Sequence, residues 1–141
     1  MLISEINAMK ILGMAAAVPK QKVTIETYKE SFGEEAVNKF IEMAGVNSVY
    51  RSLPQQTASD LGYEAAKLVI EKANIDISKI GHLIFVTQKP DHRVPSTAFI
   101  IQKRLGISKD CICFDLNLAC SGYIYGLQAI ASMLKNSDSK Y

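Results

Sequence analysis

The sequence predicts an α/β fold, one mostly parallel sheet with helices on both faces. Three observations carry the prediction. Apolar extended runs at residues 10–18, 82–87 and 111–116 are separated by stretches of helical character. The second run is apolar through its middle (Leu83, Ile84, Phe85, Val86) rather than alternating, as in strands covered on both faces. The helical stretches stop at glycines or polar turns before the next run begins. A strand–helix–strand succession of this kind builds one layered sheet through right-handed crossovers.

Taken in order, residues 10–18 are small and apolar and close at Pro19, which predicts a buried first strand. A polar helical stretch from Thr24 ends at Gly33, and a second, from Glu34 through Met43, ends at Gly45. Glycine stops a helix because it adopts the left-handed conformation at little cost. Residues 47–56 show no clear period and read as a loop with a short extended piece. Thr57 and Asp60 form a capping-box start, and Leu61, Ala65, Leu68 and Val69 continue it as an apolar stripe ending near Asn74. After a polar turn at 76–81 comes the strand at 82–87. The loop 88–95 carries Pro90, Asp91, His92, Arg93 and Pro95. Ser96 is placed to cap the next helix, which runs to Leu105 and stops at Gly106. A third strand at 111–116 leads to Cys120, which opens a long helix striped by Ile124, Leu127, Ala131 and Leu134. The tail 136–141 leaves that helix without a following strand, so residues 1–141 read as truncated before the last strands.

Composition narrows the function classes. The 141 residues suit one domain with one core, and 48% hydrophobic against 21% charged residues is ordinary globular usage. Sixteen Lys and Arg against 14 acids are scattered, which argues against a nucleic-acid partner. The early apolar run is broken by Gly13 and Pro19, too short for a membrane span of ~20 residues, and Glu5 precedes it where a signal peptide would carry bases. A cytoplasmic protein is expected. Three cysteines do not make a disulfide framework. Cys111 and Cys113 share a strand face, and with only His82 and His92 elsewhere no metal is expected.

The chemistry concentrates at Asn117, Leu118, Ala119, Cys120, Ser121 and Gly122, where a buried strand turns into a helix. Unpaired N–H groups and the helix dipole favour an anion there, which raises a cysteine's thiolate fraction. The small neighbours Ala119, Ser121 and Gly122 permit a sharp strand–turn–helix corner of the nucleophile-elbow kind. From position alone, Cys120 could equally be a small residue packed under the helix.

At Ala119, Cys120, Ser121 and Gly122, following Phe114, Asp115 and Leu116, the chain resembles the active-site segment of β-ketoacyl-acyl-carrier-protein synthase III enzymes, members of the thiolase-like superfamily. Three further pieces agree in order and spacing. They are Ile11, Leu12, Gly13 with Val18 and Pro19; Ala44, Gly45, Val46 with Arg51; and Lys89, Pro90, Asp91 with Pro95, Ser96, Thr97, Ala98. The resemblance implies the N-terminal half of such an enzyme, a homodimer paired near residues 111–115. It implies acyl transfer from acyl-CoA or acyl carrier protein to Cys120, then decarboxylative condensation with a malonyl-type thioester. Coenzyme A and the carrier protein are substrates and partners; no permanently bound cofactor is implied. The family's catalytic His and Asn lie in the second half, so the chain alone is not expected to complete the reaction, and neither His82 nor His92 is assigned as the base. Where the best-known members carry Trp and Arg against the CoA adenine, this chain has Lys39 and Met43, which shifts the expectation toward a carrier-protein donor. Arg51 is the candidate for holding a phosphate. Val94 stands in place of an aromatic residue that crosses to the partner subunit's acyl pocket, and its smaller side chain leaves room for a longer or branched acyl group. The competing readings are a non-catalytic thiolase-like dimerisation or scaffold subunit, and a redox or metal-sensing protein built on Cys111 and Cys113.

Overall fold

The computed structural model describes residues 9–141, and the chain divides into two compact units, residues 18–56 and residues 57–141 together with 9–17. The smaller unit is framed by β1 (Gln21–Thr24) and β2 (Ser48–Arg51), an antiparallel pair in which Gln21 faces Arg51 and Thr24 faces Ser48. The helical stretch expected from Thr24 therefore begins one residue later, as a 3-10 turn at Ile25–Tyr28, because Thr24 is held in the ladder. The short α1 (Lys29–Phe32) and α2 (Glu34–Ala44) follow. Gly33 (φ 84°) and Gly45 (φ 66°) end them in conformations that side chains resist. Ile25 and Val37 are the buried residues of this unit, and the Ile25 N–H donates to the Asn47 carbonyl at 2.9 Å beside the end of the ladder.

The larger unit is the α/β layer. Its helices are α3 (Ala58–Lys72), α4 (Thr97–Leu105) and α5 (Gly122–Lys135); its strands are β3 (His82–Val86) and β4 (Ile112–Leu116). The two strands pair in parallel, from His82 opposite Ile112 to Val86 opposite Leu116. Both sheet faces are covered, as the apolar run in β3 implied. On one face Leu83 and Phe85 meet the buried cluster of Ala98, Ile107, Cys111 and Cys113. There Gly62 of α3 lies so close to Phe85 that a Cβ would come within 2.8 Å of its ring. On the other face Val86 packs directly on Gly122 and Gly126 of α5. The Thr57–Asp60 capping box opens α3 as expected, with the Thr57 N–H donating to the Asp60 carboxylate at 2.9 Å.

The strand expected at residues 10–18 does not form. Among the described residues no ladder pairs with it, and Ile11, Leu12, Met14 and Val18 are exposed. The segment runs beside α3 instead, with the Gly13 Cβ position 3.0 Å from Val69 Cγ2. Apolar patterning reports a side chain's preference for cover, whereas a strand also needs a backbone partner.

Candidate functional site

Parallel pairing places the carboxyl ends of β3 and β4 side by side, so the loops that follow them emerge together. The Thr87 N–H donates to the Leu116 carbonyl at 3.2 Å, the last rung before the two loops separate. The carboxyl edge of such a sheet is where open α/β folds build their sites. Cys120 lies there, exposed, in the turn between β4 and α5. It does not open the helix, as the sequence suggested. α5 begins at Gly122 with Ser121 in the cap position, because the turn is closed by the Gly122 N–H on the Ala119 carbonyl at 2.9 Å. Among the described residues neither the Cys120 thiol nor its N–H makes a hydrogen bond. Both remain available to a ligand. Gly122 makes the corner possible, since a Cβ there would sit 2.5 Å from Val86 Cγ1.

Sequence reasoning missed the residue that ties this edge together. Asp115, in β4, accepts the Thr97 N–H at 2.7 Å and the Ala98 N–H at 2.8 Å, satisfying the orphan donors at the start of α4. Ser96 was the expected cap, yet its side chain makes no capping bond. A carboxylate takes two charge-assisted bonds where a serine hydroxyl would take one, and Asp115 is already in place from β4. The signal was present as a lone acid inside the apolar run at 111–116, since a charge rarely sits in a covered strand without a partner. Asp91 extends the network. Its N–H donates to Thr97 Oγ1 at 3.0 Å, and its carboxylate accepts the Ser59 N–H at the start of α3 at 3.1 Å. Burial pushes the Asp91 carboxyl up, but hydrogen bonds from Ser59 and Thr57 outweigh it and hold the group below its ordinary range. Arg104 reinforces the α3–α4 packing, 2.8 Å from Asp60 and stacked 4.3 Å over the Tyr63 ring.

The other candidates fall elsewhere. Cys111 and Cys113 do share a face, with sulfurs 3.6 Å apart, but they are 5% and 8% exposed inside the core. Burial raises both thiols above their ordinary value, Cys113 to about 12, which leaves them protonated and inert at neutral pH. His82 opens β3 at the amino edge, opposite Cys120, and is buried, its Nδ1 without a hydrogen-bond partner among the described residues. His92 is exposed in the loop 88–95, at the same edge as Cys120. Arg51 ends β2 in the smaller unit, exposed, with its guanidinium 5.8 Å over the Tyr28 ring; Lys39 and Met43 are exposed on α2. Among the described residues no group of three His, Cys, Asp or Glu side chains is placed to hold a metal ion, and no helix is long and apolar enough to cross a membrane.

No protein-family profile matches the chain. Individual relatives do. It is 36% identical over 131 residues to a β-ketoacyl-[acyl-carrier-protein] synthase III of Clostridium perfringens, covering 93% of this chain and 40% of that protein. The corresponding enzyme of Pectobacterium atrosepticum is 33% identical over 132 residues, covering 94% and 41%. Among solved structures, a 3-oxoacyl-(acyl-carrier protein) synthase from Burkholderia xenovorans superposes with a TM-score of 0.83 at 32% identity, over 90% of this chain and 37% of that one. A variant of Xanthomonas campestris OleA gives 0.82 at 30% identity, over 92% and 39%. The chain thus spans about two-fifths of the length of the curated relatives it matches.

Proposed function

We propose, from a chain that is similar in sequence and fold to β-ketoacyl-acyl-carrier-protein synthase III enzymes along nearly all of its length, a condensing enzyme of fatty-acid or related biosynthesis that uses Cys120 as its acyl-accepting nucleophile. The observation that carries the reading is the contrast among the three cysteines. Two are sealed in the core with raised pKa values, and the third stands exposed at the strand-to-helix corner with its own N–H unengaged among the described residues.

In the first half-reaction the Cys120 sulfur attacks the carbonyl of an acyl thioester. The carbon–sulfur bond to the carrier breaks, the carrier leaves as a thiol, and the acyl group remains on Cys120. Covalent capture divides one difficult transfer into two easier ones. The carbonyl oxygen becomes an oxyanion as the bond forms, and the Cys120 N–H is the donor best placed to meet it. Donors of this kind are worth ~10²–10³ in rate. In the second half-reaction a malonyl-type thioester loses CO₂, and the electron pair left behind attacks the acyl-enzyme carbonyl. A 3-oxoacyl thioester forms and the Cys120 thiolate is released. The groups that drive decarboxylation belong to the remainder of the protein, and the working form is a homodimer.

The donor is an acyl carrier protein or coenzyme A thioester. Exposed Lys39 and Met43 on α2 offer no aromatic face to an adenine, which supports the carrier protein, and Arg51 is the candidate phosphate contact. The test is the condensation itself. The complete protein, given acyl and malonyl thioesters, should release CO₂ and form a 3-oxoacyl thioester in equal amounts. Thioester hydrolysis without a new carbon–carbon bond would overturn the reading.

A further inference from the structure

We propose that Asp115 is a positioning residue that holds the 88–96 loop in place at the sheet edge that carries Cys120. The proposal rests on the nucleophile reading only for its catalytic consequence, because the tether itself is a matter of geometry.

Both ends of the loop are fastened to consecutive residues of β4. At its start the Thr87 N–H bonds the Leu116 carbonyl at 3.2 Å; at its end the Thr97 and Ala98 N–H groups bond the Asp115 carboxylate at 2.7 and 2.8 Å. The loop is therefore a ring closed on β4, and β4 is the strand whose following turn carries Cys120. Its interior is pinned as well, by the Asp91 N–H on Thr97 Oγ1 and the Asp91 carboxylate on the Ser59 N–H. Between these ties His92, Arg93 and Val94 stand exposed at the edge that carries Cys120.

Capping α4 does not require this arrangement. Ser96 occupies the cap position, and a serine or aspartate there can satisfy the first N–H groups locally. A local cap would stabilise the helix without connecting it to β4. The long-range cap adds one thing the local cap cannot, a fixed distance between the end of the loop and the strand bearing the nucleophile. The consequence is control of which elongated groups reach the Cys120 sulfur. Asp115 touches no reacting atom.

The two roles separate in a pair of variants of the complete protein, Asp115→Asn and the double variant Asp115→Asn/Ser96→Asp, which restores a cap but not the tether. Three readouts are taken: melting temperature, amide hydrogen exchange across 88–96, and the ratio of Cys120 labelling by N-ethylmaleimide to labelling by a long-chain N-alkylmaleimide. The double variant should recover the melting temperature of the parent. Its loop amides should still exchange about tenfold faster or more, as expected for the loss of a charge-assisted bond, and its labelling ratio should stay shifted from the parent's. Recovery of loop protection and labelling ratio along with stability would reduce Asp115 to a helix cap and overturn the proposal. So would a single variant that keeps the parent's loop exchange and ratio. If the parent takes up no acyl group on Cys120, the nucleophile reading fails, while loop exchange still decides the tether.

Discussion

Cys120→Ser in the complete protein should lower acyl transfer by about 10³-fold or more while leaving the melting temperature within a degree or so of the parent, because on the proposed role the change removes the acyl-accepting sulfur without altering a packed volume. The serine hydroxyl is nearly isosteric but a far weaker nucleophile toward a thioester than the cysteine sulfur. Cys120 is exposed and makes no hydrogen bond among the described residues, so the fold gives up little. Cys113→Ser supplies the opposite result. It places a hydroxyl in the core beside Ala98 and Ile107, costing about 1–3 kcal/mol, and leaves the chemistry of the folded enzyme intact. Steady-state rates and thermal melts on the same preparations separate the two. Equal loss of rate in both variants would count against Cys120.

The second large effect is expected at Gly122. Its Cβ position lies 2.5 Å from Val86 Cγ1 and 3.4 Å from Leu118 Cβ. Val86 is β-branched and stiff about its first torsion, so it cannot swing aside. Gly122→Val must push the start of α5 off β3, at about 2–3 kcal/mol of stability, the upper part of what overpacking costs. Because Gly122 closes the turn that holds Cys120, the same displacement should lower the rate by about 10²-fold, as a misplacement near 1 Å does. Gly126→Ala is the milder companion. Its Cβ position is 3.3 Å from Val86 Cγ2, a few tenths of an ångström tight, and it lies a full turn further from the nucleophile. A Gly122→Val protein with the parent's melting temperature and rate would refute this account of the corner.

The corner itself was readable because its chemistry is local. Small residues around Cys120, an apolar run before it and helical periodicity after it need no knowledge of distant neighbours. The same holds for the stops at Gly33, Gly45 and Gly106, each at positive φ, and for the Thr57–Asp60 cap. What escaped reading is non-local. Asp115 meets Thr97 and Ala98 across a long stretch of chain, and the nearer Ser96 offered itself as the cap that sequence rules favour. A short extended piece was expected where β2 lies, but β1 and its pairing escaped for a related reason. Gln21, Lys22, Val23 and Thr24 carry no strong strand pattern, and they become a strand because Ser48, Val49, Tyr50 and Arg51 come alongside. Residues 10–18 fail in the converse way, with strand-like composition and no ladder partner among the described residues. The shared face of Cys111 and Cys113 was legible, but only the packed cluster around them shows that they are buried and why their thiols stay protonated.

The most direct measurement is a peptide map of the complete protein after brief incubation with an acyl thioester and then iodoacetamide. One acyl mass should appear on the peptide containing Cys120, released by hydroxylamine and absent from Cys120→Ser. Cys111 and Cys113 should carry neither acyl group nor alkyl label unless the protein is unfolded. Acyl mass on another residue, or alkylation of Cys120 undiminished by the thioester, would contradict the claim that this sulfur receives the acyl chain.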